Sequence, residues 1–235
     1  MKTQSKTIGL LGGMSWESTQ SYYRMINEGI KKELGGLHSA RLVLYSVDFA
    51  EIEALQMQGD WAQAAALLTS AAQSVEKAGA DFLLICTNTM HKVAAEIADG
   101  LSVPVLHIAD ATADVLLLDG VSNVGLLGTR FTMEQAFYKD RLSARGINVI
   151  TPDQHGRDIV HHIIYEELCL GQVRQQSRQQ YLSIISQLRA RGADAVILGC
   201  TEISLLVNQS DTDTPLYDTT AIHAQQAVKA ALSNL

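Results

Sequence analysis

The sequence predicts an α/β protein of two similar domains, each built on a parallel sheet. Three internal resemblances, in the same order in both halves of the chain, carry that prediction. Thr7-Ile8-Gly9-Leu10-Leu11-Gly12 resembles Asn123-Val124-Gly125-Leu126-Leu127-Gly128. Gly79-Ala80-Asp81, followed by an apolar run ending at Thr87-Asn88-Thr89, matches Gly192-Ala193-Asp194, followed by a run ending at Gly199-Cys200-Thr201. Val103-Pro104-Val105-Leu106-His107 resembles Thr214-Pro215-Leu216-Tyr217-Asp218. From Gly9 to Gly79 is 70 residues and from Gly125 to Gly192 is 67, so the landmarks keep their spacing.

The elements follow in chain order. The run from Thr7 to Gly12 reads as a short buried strand ending in a tight glycine turn, and Glu17 to Leu34 reads as a helix. Gly79-Ala80-Asp81 reads as a helix-to-strand turn, and Phe82 to Cys86 as a buried strand reaching a polar end. Val103 to His107 reads as a strand opening into a helix; a proline at its start is acceptable. The second half repeats the pattern, with helices expected over Met133 to Arg145 and Ile159 to Leu170, and a last helix containing His223 in its first turns. Strands alternating with helices of ten or more residues imply parallel pairing through crossovers. The divide between the halves falls between Ile108 and Ser122.

The chain has 235 residues, 47% hydrophobic and 18% charged, enough for a buried core and unlike a disordered segment. A net charge of −7 without a basic run argues against a nucleic-acid partner. No run of 18 apolar residues occurs, so no membrane helix is expected, and the polar residues 1–6 give no apolar leader. Three cysteines, Cys86, Cys169 and Cys200, suggest reduced thiols in the cytoplasm. They show no metal-ligand spacing, so no structural zinc is expected. The Gly9–Gly13 segment lacks the Gly-x-Gly-x-x-Gly spacing of dinucleotide sites.

Read residue by residue, the repeat isolates two positions. Thr87 follows Gly79 by 8 residues, and Cys200 follows Gly192 by 8. Both therefore sit at carboxyl ends of equivalent strands, where parallel α/β sheets bind ligands. If the halves are related by a pseudo-twofold axis with the active site between them, the two side chains approach one ligand from opposite sides. Inverting a carbon centre by proton transfer needs that arrangement: one group removes a proton and another delivers one to the opposite face. A thiolate suits the first role, and helix-start N–H groups would hold a carboxylate and lower the thiol pKa. Asn88-Thr89 and Thr201-Glu202 supply small polar groups beside the pair. The plainer readings are that Thr87 caps a helix and that a cysteine in an apolar strand is packing. Cys86 points to the other side of its strand and reads as core, as does Cys169 in its helix. His91 is either near the site or on a solvent-facing helix surface. Lys92 is a conceivable Schiff-base lysine marked only by its position.

At these motifs the chain resembles the cofactor-independent aspartate/glutamate racemase family. The resemblance covers nearly the whole chain: Gly9 to Met14, Thr87-Asn88-Thr89-Met90-His91, Gly125 to Thr132 and Gly199-Cys200-Thr201-Glu202. The family's usual signatures are Cys-Asn-Thr and Gly-Cys-Thr. Here the second is intact, and Thr87 stands where the first has its cysteine, as in the bacterial branch specific for L-enantiomers of aspartate and glutamate. The resemblance implies two α/β domains, 1–107 plus 216–235 and 108–215, with the last helix returning to the first. It also implies an interdomain site, a homodimer, no pyridoxal phosphate and no metal. Cys200 is then the base toward the L-amino acid and Thr87 the group that reprotonates the opposite face. Met14, Gln56, Asn88, Thr89, Thr129 and Thr201 are the implied substrate contacts. Arg130, His91 and Lys92 are guesses for the side-chain carboxylate.

A hydroxyl is a far weaker acid than a thiol, so the Thr/Cys pair predicts faster turnover from L to D than from D to L. Two other readings stay open at this point. One keeps the fold but changes the reaction: a maleate isomerase, hydantoin racemase or arylmalonate decarboxylase. The other is a non-catalytic amino-acid-binding protein with a degenerate site. A Cys-His hydrolase has less support, since no nucleophile elbow surrounds Cys200.

Overall fold

Apolar runs buried at every position become the central strands. The run Ile8–Gly12 (β1) has no exposed residue, as a strand covered on both faces by crossover helices requires. Its side chains alternate: Ile8 and Leu10 enter one core with Tyr22 and Ile26, while Leu11 enters another with Ile52, Leu68 and Val75. Around β1 run α1 (Trp16–Leu34), the half-exposed edge strand β2 (Leu42–Ser46), α2 (Phe49–Gln58), α3 (Trp61–Lys77) and β3 (Phe82–Ile85). A 3₁₀ turn (Thr89–Val93), α4 (Ala94–Asp99) and the start of α5 (Ile108–Leu118) follow. The sheet is parallel, in the order β2-β1-β3, and Val105 extends it by a parallel bridge to Leu83.

The second half starts with β4 (Asn123–Gly128), α6 (Arg130–Glu134), α7 (Ala136–Ser143), β5 (Asn148–Ile150) and α8 (Gln154–Glu166). It continues through α9 (Gln175–Ala190), β6 (Ala195–Gly199), α10 (Ile203–Leu206), β7 (Leu216–Asp218) and α11 (Thr219–Leu232). Its sheet is parallel in the order β5-β4-β6-β7. Val160, Ile164, Tyr181, Ile185 and Leu188 pack its core against Leu127, Val196 and Leu198.

This computed structural model describes residues 5–233, so residues 1–4 of the polar start, and residues 234–235, lie outside it. The described residues form two compact units, 5–108 with 223–233 and Ala109–Ile222. No helix among them is long and apolar enough to cross a membrane.

The two units repeat each other down to single hydrogen bonds. Gly79 and Gly192 close their helices with φ of 96° and 97°, a conformation that favours glycine. The next aspartates tie to the preceding central strand in the same way: Asp81 N donates to Thr7 O and Asp194 N to Asn123 O, both at 2.8 Å. Leu83 N donates to Pro104 O at 2.9 Å, as Val196 N does to Pro215 O at 2.8 Å. Gly9 and Gly125 are matched by packing, since an added Cβ would meet Val75 at 2.7 Å and Leu188 at 2.9 Å on the helix above.

Three sequence expectations need correction. The resemblance implies that the segment from 216 belongs to the first domain, but Leu216–Asp218 hydrogen-bonds to β6, and the chain enters the first unit only at His223. From there α11 lays Ala224, Ala227, Val228 and Ala231 against Ile8, Tyr22 and Ile26. The helix expected over Met133 to Arg145 is two helices, interrupted where Gln135 takes extended backbone (φ −79°, ψ 154°). The helix expected to Leu170 stops at Glu166, and Cys169 lies in a 3₁₀ turn (Leu168–Leu170), partly buried against the core that holds Cys200.

Candidate active site

Chemistry-bearing residues collect at the carboxyl ends of the central strands in both units. In the second unit β6 ends at Gly199, and Cys200 follows it with 9% of its surface exposed. Its thiol donates to Glu202 Oε2 at 3.0 Å, and Thr201 Oγ1 donates to the same oxygen at 2.7 Å. Glu202 is itself buried. Burial, and after it the Glu202 charge, push the Cys200 thiol well above its ordinary range. That overturns the expectation of a thiol acidified by a helix start: α10 has only four residues, and desolvation outweighs it. The thiol gains a carboxylate acceptor within hydrogen-bond reach instead. Thr129, at the end of β4, is buried and caps α6 by accepting from Thr132 N at 3.4 Å.

In the first unit Thr87 follows Cys86 beyond β3 and is half-buried. Cys86 is fully buried, and Ser18 Oγ donates to its carbonyl at 3.1 Å. Burial raises the Cys86 thiol pKa, as suits a core residue. Among the described residues, no carboxylate or imidazole bonds the Thr87 hydroxyl, in contrast to Cys200. Asn88 and Thr89 are buried beside it at the start of the 3₁₀ turn. Met14 is buried after β1, in the same apolar cluster as Met90, and Gln56 Nε2 donates to the Met90 sulfur at 2.9 Å. Met14, Gln56, Thr87, Asn88 and Thr89 thus belong to one unit, and Thr129, Cys200 and Thr201 to the other.

His91 is not solvent-facing. It is 3% exposed, with Nδ1 2.7 Å from Thr87 O and Nε2 accepting from Ile108 N at 3.2 Å. Two more buried histidines pack near it, His107 at 4.4 Å and His223 at 5.9 Å between ring centroids. His223 Nε2 lies 2.7 Å from Leu106 O, and its Nδ1 lies 2.8 Å from Tyr22 Oη. A carbonyl only accepts, so Nε2 carries the proton and Tyr22 donates to Nδ1. Burial lowers the His223 pKa to about 4.

The other guesses are engaged elsewhere. Lys92 Nζ sits 3.8 Å from the centre of the Trp61 ring, a contact worth about 0.5–1 kcal/mol where partly exposed. Arg130 pairs with Asp158 at 2.8 Å, and both side chains are about half exposed. A surface groove lined by Trp61, Ala65, Thr69 and Glu96 lies along the helices, not at the strand ends. Among the described residues, no group of three or more His, Cys, Asp or Glu side chains is placed to hold a metal ion.

Residues 11–227 match the family model of the Asp/Glu/hydantoin racemases, and the chain belongs to that family of isomerases. It is 57% identical to a Yersinia pestis chain named as a candidate Asp/Glu racemase, over 97% of this chain and 99% of that one, with a TM-score of 0.91. It is 32% identical to an aspartate racemase homologue of Pyrococcus horikoshii, over 96% of this chain and 99% of that one, with a TM-score of 0.84. The broad-specificity amino-acid racemase RacX of Bacillus subtilis is 26% identical, over 96% of this chain and 98% of that protein. Sequence reasoning placed Glu202 beside the pair as a polar group but gave it no role toward the thiol. Its position two residues beyond Cys200 was visible, but its burial and its bond to the thiol were not.

Proposed function

We propose that this racemase interconverts L- and D-aspartate or glutamate by α-proton transfer without pyridoxal phosphate, with Cys200 and Thr87 acting on opposite faces of the α-carbon. The observation that carries this reading is the Cys200 thiol held against the buried Glu202 carboxylate at the end of β6. Glu202 takes the thiol proton, and the thiolate removes the α-proton of the L-amino acid. The Thr87 hydroxyl then delivers its proton to the opposite face; its oxygen regains one from solvent, and Glu202 releases the one it took. Met14, Gln56, Asn88, Thr89, Thr129 and Thr201 surround the substrate. Lys92, already placed on Trp61, takes no Schiff-base role. The reading carries with it a cytoplasmic homodimer, which sedimentation and cell fractionation would test.

The deciding experiment is proton NMR of L-aspartate and of L-glutamate with the protein in D₂O, followed by chiral analysis. Loss of the α-proton signal with appearance of the D-enantiomer supports the reading, and the faster amino acid names the substrate. No exchange with either sinks it. Exchange on neutral amino acids at equal rates would favour a broader range, as the name of the Bacillus subtilis relative suggests for that protein.

A further inference from the structure

We infer that His91, held as a neutral Nδ1–H imidazole, is a positioning residue that fixes Thr87 for proton delivery; this rests on the proposed racemase reading. The hydrogen bonds determine the tautomer. The Ile108 backbone N–H only donates, so the Nε2 that receives it at 3.2 Å carries a lone pair. The Thr87 carbonyl only accepts, so the Nδ1 at 2.7 Å carries the proton. The ring has no lone pair left to act as a base and no free N–H to act as an acid. Its chemistry is therefore spent on the backbone of Thr87.

The placement explains why a histidine is used for this. Thr87 lies past the end of β3, where among the described residues no ladder bond holds its carbonyl to a neighbouring strand. His91 lies four residues on, in the 3₁₀ turn, with His91 N donating to Asn88 O at 3.1 Å. The side chain folds back over that turn and closes it on Thr87. Its other nitrogen reaches the first residue of α5, which is also the last residue of the first unit before the chain leaves it. His107 and His223 pack beside the ring, and His223 is where the chain returns. One buried cluster thus anchors both chain crossings and the proposed proton donor. A ring of fixed shape bonded at both ends leaves the Thr87 peptide little freedom, and the hydroxyl direction follows from that peptide.

The test separates the two half-steps. HCl elimination from 3-chloro-L-aspartate needs the α-proton to leave to Cys200 and chloride to depart. The resulting enamine hydrolyses to oxaloacetate and ammonium, so no proton from Thr87 is needed. Racemisation of L-aspartate needs both groups. His91→Asn keeps a donor near the Nδ1 position, and His91→Gln moves the polar group to the Nε2 position. We expect His91→Gln to lower L-aspartate inversion roughly 10- to 100-fold, the size typical of a misplaced reacting group. Elimination should stay within about 3-fold, and His91→Asn should recover most of the inversion, on the same geometric argument. Parallel loss of both reactions in His91→Gln, or unchanged inversion, overturns the inference. ¹⁵N NMR of the wild-type imidazole gives a readout independent of turnover: an Nε2–H or doubly protonated His91 at pH 7 also overturns it. If the wild type shows the expected tautomer but neither reaction, the racemase reading has failed, and the positioning role falls with it.

Discussion

The ends of β3 and β6 are the same place in a repeated backbone, and they carry different chemistry. Each strand follows a Gly-Ala-Asp turn with matching hydrogen bonds; on its outer side β6 pairs with the proline-led β7, and β3 with a single bridge at Val105, just after Pro104. Beyond β6 stands a thiol against a buried carboxylate; beyond β3 stands a hydroxyl whose nearest histidine is bonded to the backbone instead. The two units share what the sheet needs and differ at the residue eight positions past each Gly-Ala-Asp glycine, Thr87 in one and Cys200 in the other. On the proposed mechanism, one end takes a proton and the other gives it.

The largest expected effect separates these roles. Cys200→Ala should lower both L-aspartate racemisation and HCl elimination from 3-chloro-L-aspartate by roughly 10³-fold or more, as loss of the proton-removing group does. Thr87→Ala should lower racemisation to a similar degree while elimination stays within about 3-fold, because elimination needs no proton from the opposite face. Steady-state assays of D-aspartate and oxaloacetate read the two reactions. Equal loss of elimination in both variants would show that the strand ends are not chemically distinct.

Acid should also act on the two units through His223 and Asp218 with opposite signs. His223, fully buried against Leu106 O and Tyr22, has a pKa lowered from 6.5 to about 4. The unfolded chain therefore binds its proton more readily, and the first unit loses stability as pH falls from 6.5 toward 4. The loss reaches about 3 kcal/mol at the lower end. Asp218 at the end of β7 has its pKa raised, chiefly by burial, so its contribution favours the folded second unit as pH falls. Hydrogen exchange at pH 7 and pH 4.5 should show protection falling first around Tyr22, His91 and His107, and His223→Gln should flatten that dependence. A uniform loss across both units would remove the distinction.

Much of this was legible in the sequence, for a physical reason. Gly79 and Gly192 are glycines because their φ is positive, and Gly9 and Gly125 because a helix side chain presses on the strand. Such constraints write themselves into residue identity at fixed spacing, so the repeat and the placement of Thr87 and Cys200 could be read. Glu202 and His91 could not be assigned the same way. Glu202 reads only as a polar group beside the pair, and His91 as either near the site or on a solvent-facing helix surface, until burial and partners are known. The return of the chain at His223, not at 216, depends on the pairing of Leu216–Asp218 with β6, which local pattern does not encode.

Glu202 offers a smaller and sharper test of the β6 end. Its charge and its hydrogen bond both help hold the Cys200 proton in place. With a thiol raised this way, kcat/KM should climb through the alkaline range as the thiolate forms. Glu202→Gln removes the charge, so the rising limb should move to lower pH. Removal of the local proton acceptor should meanwhile cut kcat roughly 10- to 100-fold. A pH profile from 6 to 10 reads both effects. A limb that stays in place would mean that Glu202 does not control the thiol.

The smallest expected effect makes the two ends alike. Thr87→Cys puts a thiol where the hydroxyl stands, at a half-buried position, with one sulfur in place of the hydroxyl and methyl. A thiol is the better acid, and its thiolate the better base toward the D-enantiomer. D-to-L turnover should rise about 10-fold, worth about 1.4 kcal/mol in the barrier, with a lesser change from L to D. The equilibrium constant stays near unity, so the wild-type imbalance in kcat is matched by an imbalance in KM, and the variant should narrow both together. Progress curves from pure L- and pure D-aspartate give all four constants. Comparable wild-type kcat values in the two directions would mean that the hydroxyl is no weaker a base than the thiol in this site, and the contrast between the strand ends would be one of residue type without functional consequence.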